Sequence, residues 1–299
     1  MPLPFPLCHG SFVWIWTGDG VQDKTLGFIG AGNMGAALLR GVLSAGLVTP
    51  DRVVAADRNP DRLTVLSDEL GIQTTNDNRE IARRVDVLVL AVKPGMMAGV
   101  LGDIADVIQP HQLVVSVAAG VTLNTMEGLL SGDIPVIRSM PNTPCLVGVG
   151  ASAYALGLHC DPSHGAIASA ILTAVGKAWE VSEEELNAVT AVSGSGPAYL
   201  FYLLEGMTTG GASVGLDEDL ARELALQTVV GAGALASTSM DPPAVLRARV
   251  TSPGGTTQAA IETLEAREVG LALRFAIEAA RDRGAEIGRD LATANQKTS

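Results

Sequence analysis

The chain of 299 residues is poor in aromatics, at 4%, so its cores must be built from Ala, Val, Leu and Ile. It is also poor in positive charge: 20 Lys and Arg stand against 32 Asp and Glu, a net charge of −12. There is no basic stripe, which argues against nucleic acid as a partner. An acidic exterior still permits one local anion site. The three cysteines, Cys8, Cys145 and Cys160, have no CxxC spacing, and the four histidines form no HExxH-type pair. A disulfide framework and a zinc signature are therefore not expected, and the pattern reads as a reducing, cytoplasmic, metal-free protein. No apolar run approaches the roughly 20 residues of a membrane span, so no membrane partner is expected. The stretch "FVWIW" near the start is short and follows no Lys or Arg, which leaves a signal peptide unsupported. The first basic residue is Lys24. Residues 1–23 are expected to be an N-terminal extension outside the fold.

The chain is rich in small and branched apolar residues. It is 47% hydrophobic with 34 Gly, a composition suited to α/β layers with close helix packing and not to disorder. Its length predicts two domains. From Lys24, short apolar strands alternate with helical stretches: "TLGFIG", "RVVAAD", "IQTT", "VDVLVLAV", "LVVSVAAG", "PVIRSM", "ASAYAL" and "AWEVS" read as strands. Strands that are apolar without alternation have both sheet faces covered. The expectation for residues 24–182 is a parallel, doubly wound sheet. After residue 182 only helical patterns follow, so residues 183–299 are expected to form an all-helical domain. Helices this apolar, with few charges, predict burial against a second subunit.

"GFIGAGNMG" places Gly30, Gly32 and Gly35 as GxGxxG between a strand and a helix. In that context the first glycine permits the tight turn. The second lets backbone approach a pyrophosphate, and the third lets helix and strand pack closely. The second strand ends at Asp57, 22 residues beyond Gly35, close to the position that contacts a ribose. These features specify a dinucleotide-binding, Rossmann-like domain. The segment "ADRN" leaves the choice of dinucleotide open. Asp57 favours a free 2′-hydroxyl, whereas Arg58, Arg62 and Asn59 favour a 2′-phosphate. Lys93, in "AVKPG", falls at the ligand edge of the sheet. Ala118 and Ala119, in "SVAAG", are small enough to admit a nicotinamide ring, although ordinary tight packing is the better explanation for the alanines alone.

Taken in order, "FIGAGNMG", "AVKP", "SVAAG", "MPNTP", "SGSGPAY" and "VTSPGGTT" closely resemble pyrroline-5-carboxylate reductase over about Thr25 to Gly288. The resemblance implies NAD(P)H-dependent reduction of a cyclic imine to L-proline, the last step of proline biosynthesis, with NADPH as the cofactor and NADH as the alternative. It implies a homo-oligomer, an interlocked dimer that in some members assembles into a decamer, with the active site at the interface. The implied cofactor contacts are Gly30, Gly32, Asn33, Met34, Asp57 or Arg58, Asn78, Ala91, Lys93 and Pro94, with Ala118 beside the ring. The implied substrate loop comprises Ser252, Gly255, Thr256 and Thr257. Two departures stand out: Thr209 where many relatives carry Asp, and Arg249 where a relative's Asn touches cofactor.

Chemically, the substrate's carboxylate needs donors. Ser252 offers a hydroxyl, and "GGTT" offers amides at a helix start whose dipole supports an anion by about 0.3–1 kcal/mol. Thr257 is the catalytic candidate, because its hydroxyl can donate to a neutral imine nitrogen and accept from the product amine. Its pKa makes it a poor proton source. Asn142, Thr143 and Ser195 are further pocket candidates. "SGSGPAY" reads as the start of a long interface helix, with Pro197 in its first turn. Two rivals fare less well. β-Hydroxyacid dehydrogenases place a catalytic Lys a few residues after a similar "GSG", where this chain has Leu200. A regulatory protein without turnover would not need the intact "TSPGGTT".

Overall fold

The computed structural model describes residues 20–296. The expected extension lies outside the described residues as far as position 19. Val21, which the sequence reading placed in that extension, is fully buried in the core, so the packed domain begins at least three residues before Lys24.

The elements run β1 (Leu26–Ile29), α1 (Asn33–Ser44), β2 (Val53–Ala56), α2 (Pro60–Leu70), β3 (Gln73–Thr75), α3 (Asn78–Arg84), β4 (Val87–Leu90), α4 (Met97–Ile104), β5 (Leu113–Ser116), α5 (Leu123–Leu129), β6 (Val136–Met140), β7 (Gly150–Leu156), α6 (Pro162–Thr173) and β8 (Gly176–Glu180). Helices then follow without interruption by strand: α7 (Leu186–Val189), α8 (Gly196–Ser213), α9 (Glu218–Thr238), α10 (Pro243–Arg249), α11 (Thr256–Ala266) and α12 (Val269–Gln296). The first half is thus Rossmann-like and the second all-helical, as the sequence predicts.

The eight strands form one sheet in the order β3-β2-β1-β4-β5-β6-β7-β8. The order steps outward both ways from β1, which leaves a crevice at the carboxyl ends of β1 and β4, where ligands of open α/β sheets bind. Side chains alternate between two cores. Phe28, Val87 and Val89 face one, with α1, α2 and α6. Ile29, Leu88 and Leu90 face the other, with α3, α4 and α5. This double cover is why the strands read as unbroken apolar runs.

The all-parallel expectation needs one correction, because β6 and β7 are antiparallel. Only a loop with a short 3₁₀ turn over Thr143–Val147 joins them. A parallel return needs a crossover of a dozen or more residues, and this connection is too short for one. α6 supplies such a crossover for β7 and β8, which pair in parallel.

The helical half buries little within one chain. α8, α10 and α11 contain no buried residue, and α9 buries only Ala221 and Ala225. Leu200, Phe201, Tyr202 and Leu203 are consecutive on α8 and all at least half exposed, so most of that helix is uncovered apart from the side where Gly211 packs on Ala221 of α9. α12, about 42 Å long from its 28 residues, reaches back to the sheet domain. There Ile287 packs on Gly120 and Leu291 joins the second core. Among the described residues no helix is long and apolar enough to cross a membrane.

Candidate active site

The glycine turn leaves β1 at Ile29 and enters α1 at Asn33. Gly30 sits at φ 102°, a left-handed backbone that favours glycine. A Cβ at Gly30 would strike the carbonyl oxygen of Ala91, and one at Gly35 would strike the carbonyl oxygen of Gly30. Gly32 differs, because a Cβ there would meet nothing within 4 Å. Packing therefore demands the first and third glycines, while the second faces open space. α1 starts there with no side-chain cap, so its first amides remain available to an anion.

That open space is a cleft of about 690 Å³ at the carboxyl edge of the sheet. All eleven residues named from the sequence for the dinucleotide line it, from Gly30 through to Ala118. Arg62 and Ala119 line it too, along with Met96, Val100 and Val117, which the sequence reading did not single out. Met96 sits in the first turn after Pro94, a position that only an explicit trace of that turn would have exposed. Asn78 is partly committed elsewhere, since its amide donates to Asp103 at 3.3 Å.

Asp57 is turned inward. Its Oδ2 accepts the amide of Ala31 at 2.8 Å, and its Oδ1 accepts the amide of Asn59 at 2.8 Å. Arg62 lies 3.7 Å from Oδ2. Arg58 extends across the cleft mouth, its guanidinium donating to the sulfur of Met96 at 3.3 Å.

The loop before α11 lies elsewhere. Ser252, Gly255, Thr256 and Thr257 share one turn, closed by the amide of Gly255 donating to the carbonyl of Ser252 at 3.0 Å. Gln258, unremarked in the sequence, braces it: its Oε1 accepts the amide of Gly254 at 2.7 Å, and its side-chain amide donates to Glu262 at 2.7 Å. α11 begins at Thr256 with Gly255 as N-cap and no side-chain cap. None of the four residues lines the dinucleotide cleft of its own chain. Arg249 is not poised as a clamp; it pairs with Asp241 at 2.5 Å.

Asn142 and Thr143 do not line the cleft either. Asn142 is a buried tie. Its Oδ1 accepts the amide of Ala151 at 2.9 Å, and its Nδ2 donates to the carbonyl of Ser193 at 3.0 Å. Ser193 lies in a π-helical turn, Thr190–Gly194, which runs into α8 with Pro197 in its first turn. A Cβ at Gly194 would press on the methyl of Met140. "SGSGPAY" is therefore packed on the end of β6 as it opens α8.

Burial pushes the thiols of Cys145 and Cys160 up from their ordinary range, the setting of structural and not of reactive cysteines. Among the described residues no group of His, Cys, Asp or Glu could hold a metal ion.

Known proteins share this arrangement. The family described as "Pyrroline-5-carboxylate reductase dimerisation" matches residues 183–287, and "NADP oxidoreductase coenzyme F420-dependent" matches residues 25–120. A pyrroline-5-carboxylate reductase from Methanosarcina acetivorans is 40% identical over 90% of this chain and 100% of its own length. The structure of a pyrroline-5-carboxylate reductase from Coxiella burnetii superposes with a TM-score of 0.84 at 36% identity, covering 88% of this chain and 98% of that one. The Plasmodium falciparum pyrroline carboxylate reductase, solved with NADP bound, gives 0.80 at 29% identity over 90% and 100%. The likeness spans the glycine turn, the cleft, the loop before α11 and the exposed helices alike, and the chain belongs to the pyrroline-5-carboxylate reductase family.

Proposed function

We propose that the protein reduces L-1-pyrroline-5-carboxylate to L-proline with NAD(P)H, the last step of proline biosynthesis. The observation that carries this is the pairing of a dinucleotide cleft with an uncapped helix start at Thr256, in a chain of this family. The cleft residues fit the cofactor: Gly32 leaves the space that a pyrophosphate fills, and the bare start of α1 supplies amides for it. The reduced nicotinamide supplies the hydride that adds to the ring carbon of the C=N bond.

The remaining work falls to the chain's own groups. Ser252 and the amides of Gly255 and Thr256 hold the substrate carboxylate. Thr257 Oγ1 donates to a neutral imine nitrogen, or accepts from its N–H once it is protonated, and orients the ring for hydride addition. One proton must reach that nitrogen to balance the reaction. Thr257 is too weak an acid to supply it, so it arrives with an iminium substrate or from water. Because the loop lies outside its own chain's cleft, a second copy of the chain completes the site. The protein works as a homo-oligomer, with the interlocked dimer as its unit and a decamer as the larger assembly, in the cytoplasm. The division into a dinucleotide domain over 24–182 and a helical substrate domain over 183–299 follows from these roles.

The test is a reductase assay with DL-pyrroline-5-carboxylate, following loss of reduced-nicotinamide absorbance with each cofactor. Thr257→Ala should lower kcat/KM by roughly 10–100-fold, the value of one hydrogen bond to a charged group, and leave cofactor binding unchanged. Normal turnover in that variant would remove Thr257 from the role. No oxidation by a folded protein that binds dinucleotide would sink the reductase reading.

A further inference from the structure

Two glycines meet where the helical half touches the cleft. The strand order β2-β1-β4-β5 puts Asp57 and Ala118–Ala119 on opposite sides of the glycine turn. The end of the cleft away from Asp57 is therefore walled by Val117, Ala118 and Ala119. That wall is tied to the sheet by the amide of Val117, which donates to the carbonyl of Leu90 at 3.1 Å, and by the amide of Ala118, which donates to Ser116 Oγ at 3.3 Å. The next residue, Gly120, is buried and left-handed, at φ 78°, and α12 lies directly against it. A Cβ at Gly120 would come to 3.0 Å from the Cγ2 methyl of Ile287, and a Cβ at Gly288 would come to 3.1 Å from the Gly120 carbonyl oxygen. Gly288 sits inside a helix of 28 residues, where alanine is the more stable choice. The close approach to Gly120 is what its missing side chain permits. α12 is also seated independently of this contact. Leu291 joins the second core, and Gly284, one turn before Gly288 on the same face, faces Asn187 of α7.

We propose that Ile287 and Gly288 are positioning residues: by seating α12 on Gly120 they fix the Val117–Ala119 wall, and with it the depth at which the nicotinamide ring is held. This rests on the cleft being the NAD(P)H site. A methyl added at position 288 falls inside ordinary van der Waals distance of the Gly120 oxygen, so the helix or the wall must give by a few tenths of an ångström. The helix is held at Leu291 and at α7, whereas the wall borders open cleft, so the wall yields. Such a displacement leaves the glycine turn and the Asp57 end of the cleft untouched. It changes how the hydride donor meets its acceptor, the step most sensitive to orientation.

The experiment compares Gly288→Ala with Gly284→Ala in the assembled full-length protein. Both variants add the same methyl to the same helix face, but the one at 284 meets only Asn187 Oδ1, at an ordinary 3.7 Å. Three quantities are read: the dissociation constant of NADPH by fluorescence titration, the emission spectrum of the bound reduced nicotinamide, and the single-turnover rate of its oxidation by saturating DL-pyrroline-5-carboxylate. Gly288→Ala should keep the dissociation constant, shift the bound emission, and slow single turnover by roughly three- to tenfold, a part of the roughly hundredfold that a 1 Å misplacement costs. Gly284→Ala should match wild type in all three. Ile287→Ala, which removes the methyl against Gly120, should also slow the step, and Ile287→Val, which keeps that methyl, should recover most of the rate. The proposal is overturned if Gly288→Ala oxidises bound cofactor at the wild-type rate, or if its affinity falls together with its rate. Wild type that binds no dinucleotide would overturn the cleft assignment as well. Wild type that binds NADPH but never oxidises it would sink the reductase reading alone; the emission spectra then decide, and identical spectra for the two glycine variants would overturn this proposal.

Discussion

Arg138 and Glu183 join the two halves of the chain: Nη1 of Arg138, on β6, lies 3.0 Å from Oε1 of Glu183, just before α7. The same carboxylate oxygen accepts the amide of Leu123 at the start of α5, at 2.7 Å. Arg138 is 5% exposed, so its charge depends on this partner. Removing one member of a buried pair costs about 3–5 kcal/mol. Glu183 is itself partly exposed, which places Glu183→Ala at the low end, about 3 kcal/mol less stable in urea unfolding. Glu183→Gln keeps an acceptor for Leu123 and should lose less. Equal losses would mean that the charge alone matters at this joint.

The three glycines of the turn should fail in different ways. Gly35→Ala drives a methyl into the carbonyl of Gly30, an overpacked contact against backbone that costs typically 1–3 kcal/mol or more. Gly32→Ala meets no protein atom within 4 Å and should fold with a melting temperature close to wild type. Its methyl instead occupies the space assigned to the pyrophosphate, so its cofactor affinity should fall. Thermal unfolding and cofactor titration together separate the two. A Gly32→Ala protein that binds cofactor normally would place the pyrophosphate elsewhere.

The strands, the glycine turn and the cleft residues were legible because each is written in local chemistry: apolar runs, glycines at fixed spacing, a lysine at a strand end. The antiparallel turn of β6 into β7 was not, because it depends on how few residues lie between Met140 and Gly150 and not on either strand's composition. α6 carries little helical periodicity in its sequence, because Gly165, Ala168 and Ala170 share its buried surface with Ile167, Ile171 and Leu172. The inward turn of Asp57 is a matter of which amide its carboxylate reaches, and spacing carries no record of that. Gln258 could have been found, since its reach back to Gly254 spans one helical turn.

Asp86 ties the start of β1 to β4. Its carboxylate accepts the amide and the hydroxyl of Thr25 at 2.7 and 2.8 Å. Burial alone would push its pKa up; the two Thr25 hydrogen bonds outweigh it, helped by Lys24 and His111, and hold the group below the ordinary carboxylate range. A depressed folded pKa contributes stability that is full above the unfolded value, about 3.9, and lost as pH falls through the folded one. Asp86→Asn should therefore be less stable than wild type at neutral pH, and the gap should close below about pH 4. Unfolding curves across pH test this, and a gap that widens on acidification would reverse the sign of the assignment.

The helical half poses the largest structural demand. Phe201 is 61% and Tyr202 78% exposed in the single chain, next to Leu200 and Leu203 on the same helix, and Leu220, Leu224 and Leu226 repeat the exposure on α9. A contiguous apolar surface of this kind marks an interaction site, and these residues lie within the span matched by the dimerisation family. Leu224→Asp places a charge where a second copy must pack, at a cost of several kcal/mol if that contact is fully desolvated. In sedimentation the variant should shift toward monomer. The residues lining the cleft in one chain all come from its own sheet domain, so cofactor binding should persist. Turnover should fall with dimer content, because the loop carrying Thr257 lies outside the cleft of its own chain. A monomeric variant with full activity would require Thr257 to reach its own cleft, which the position of α11 does not provide.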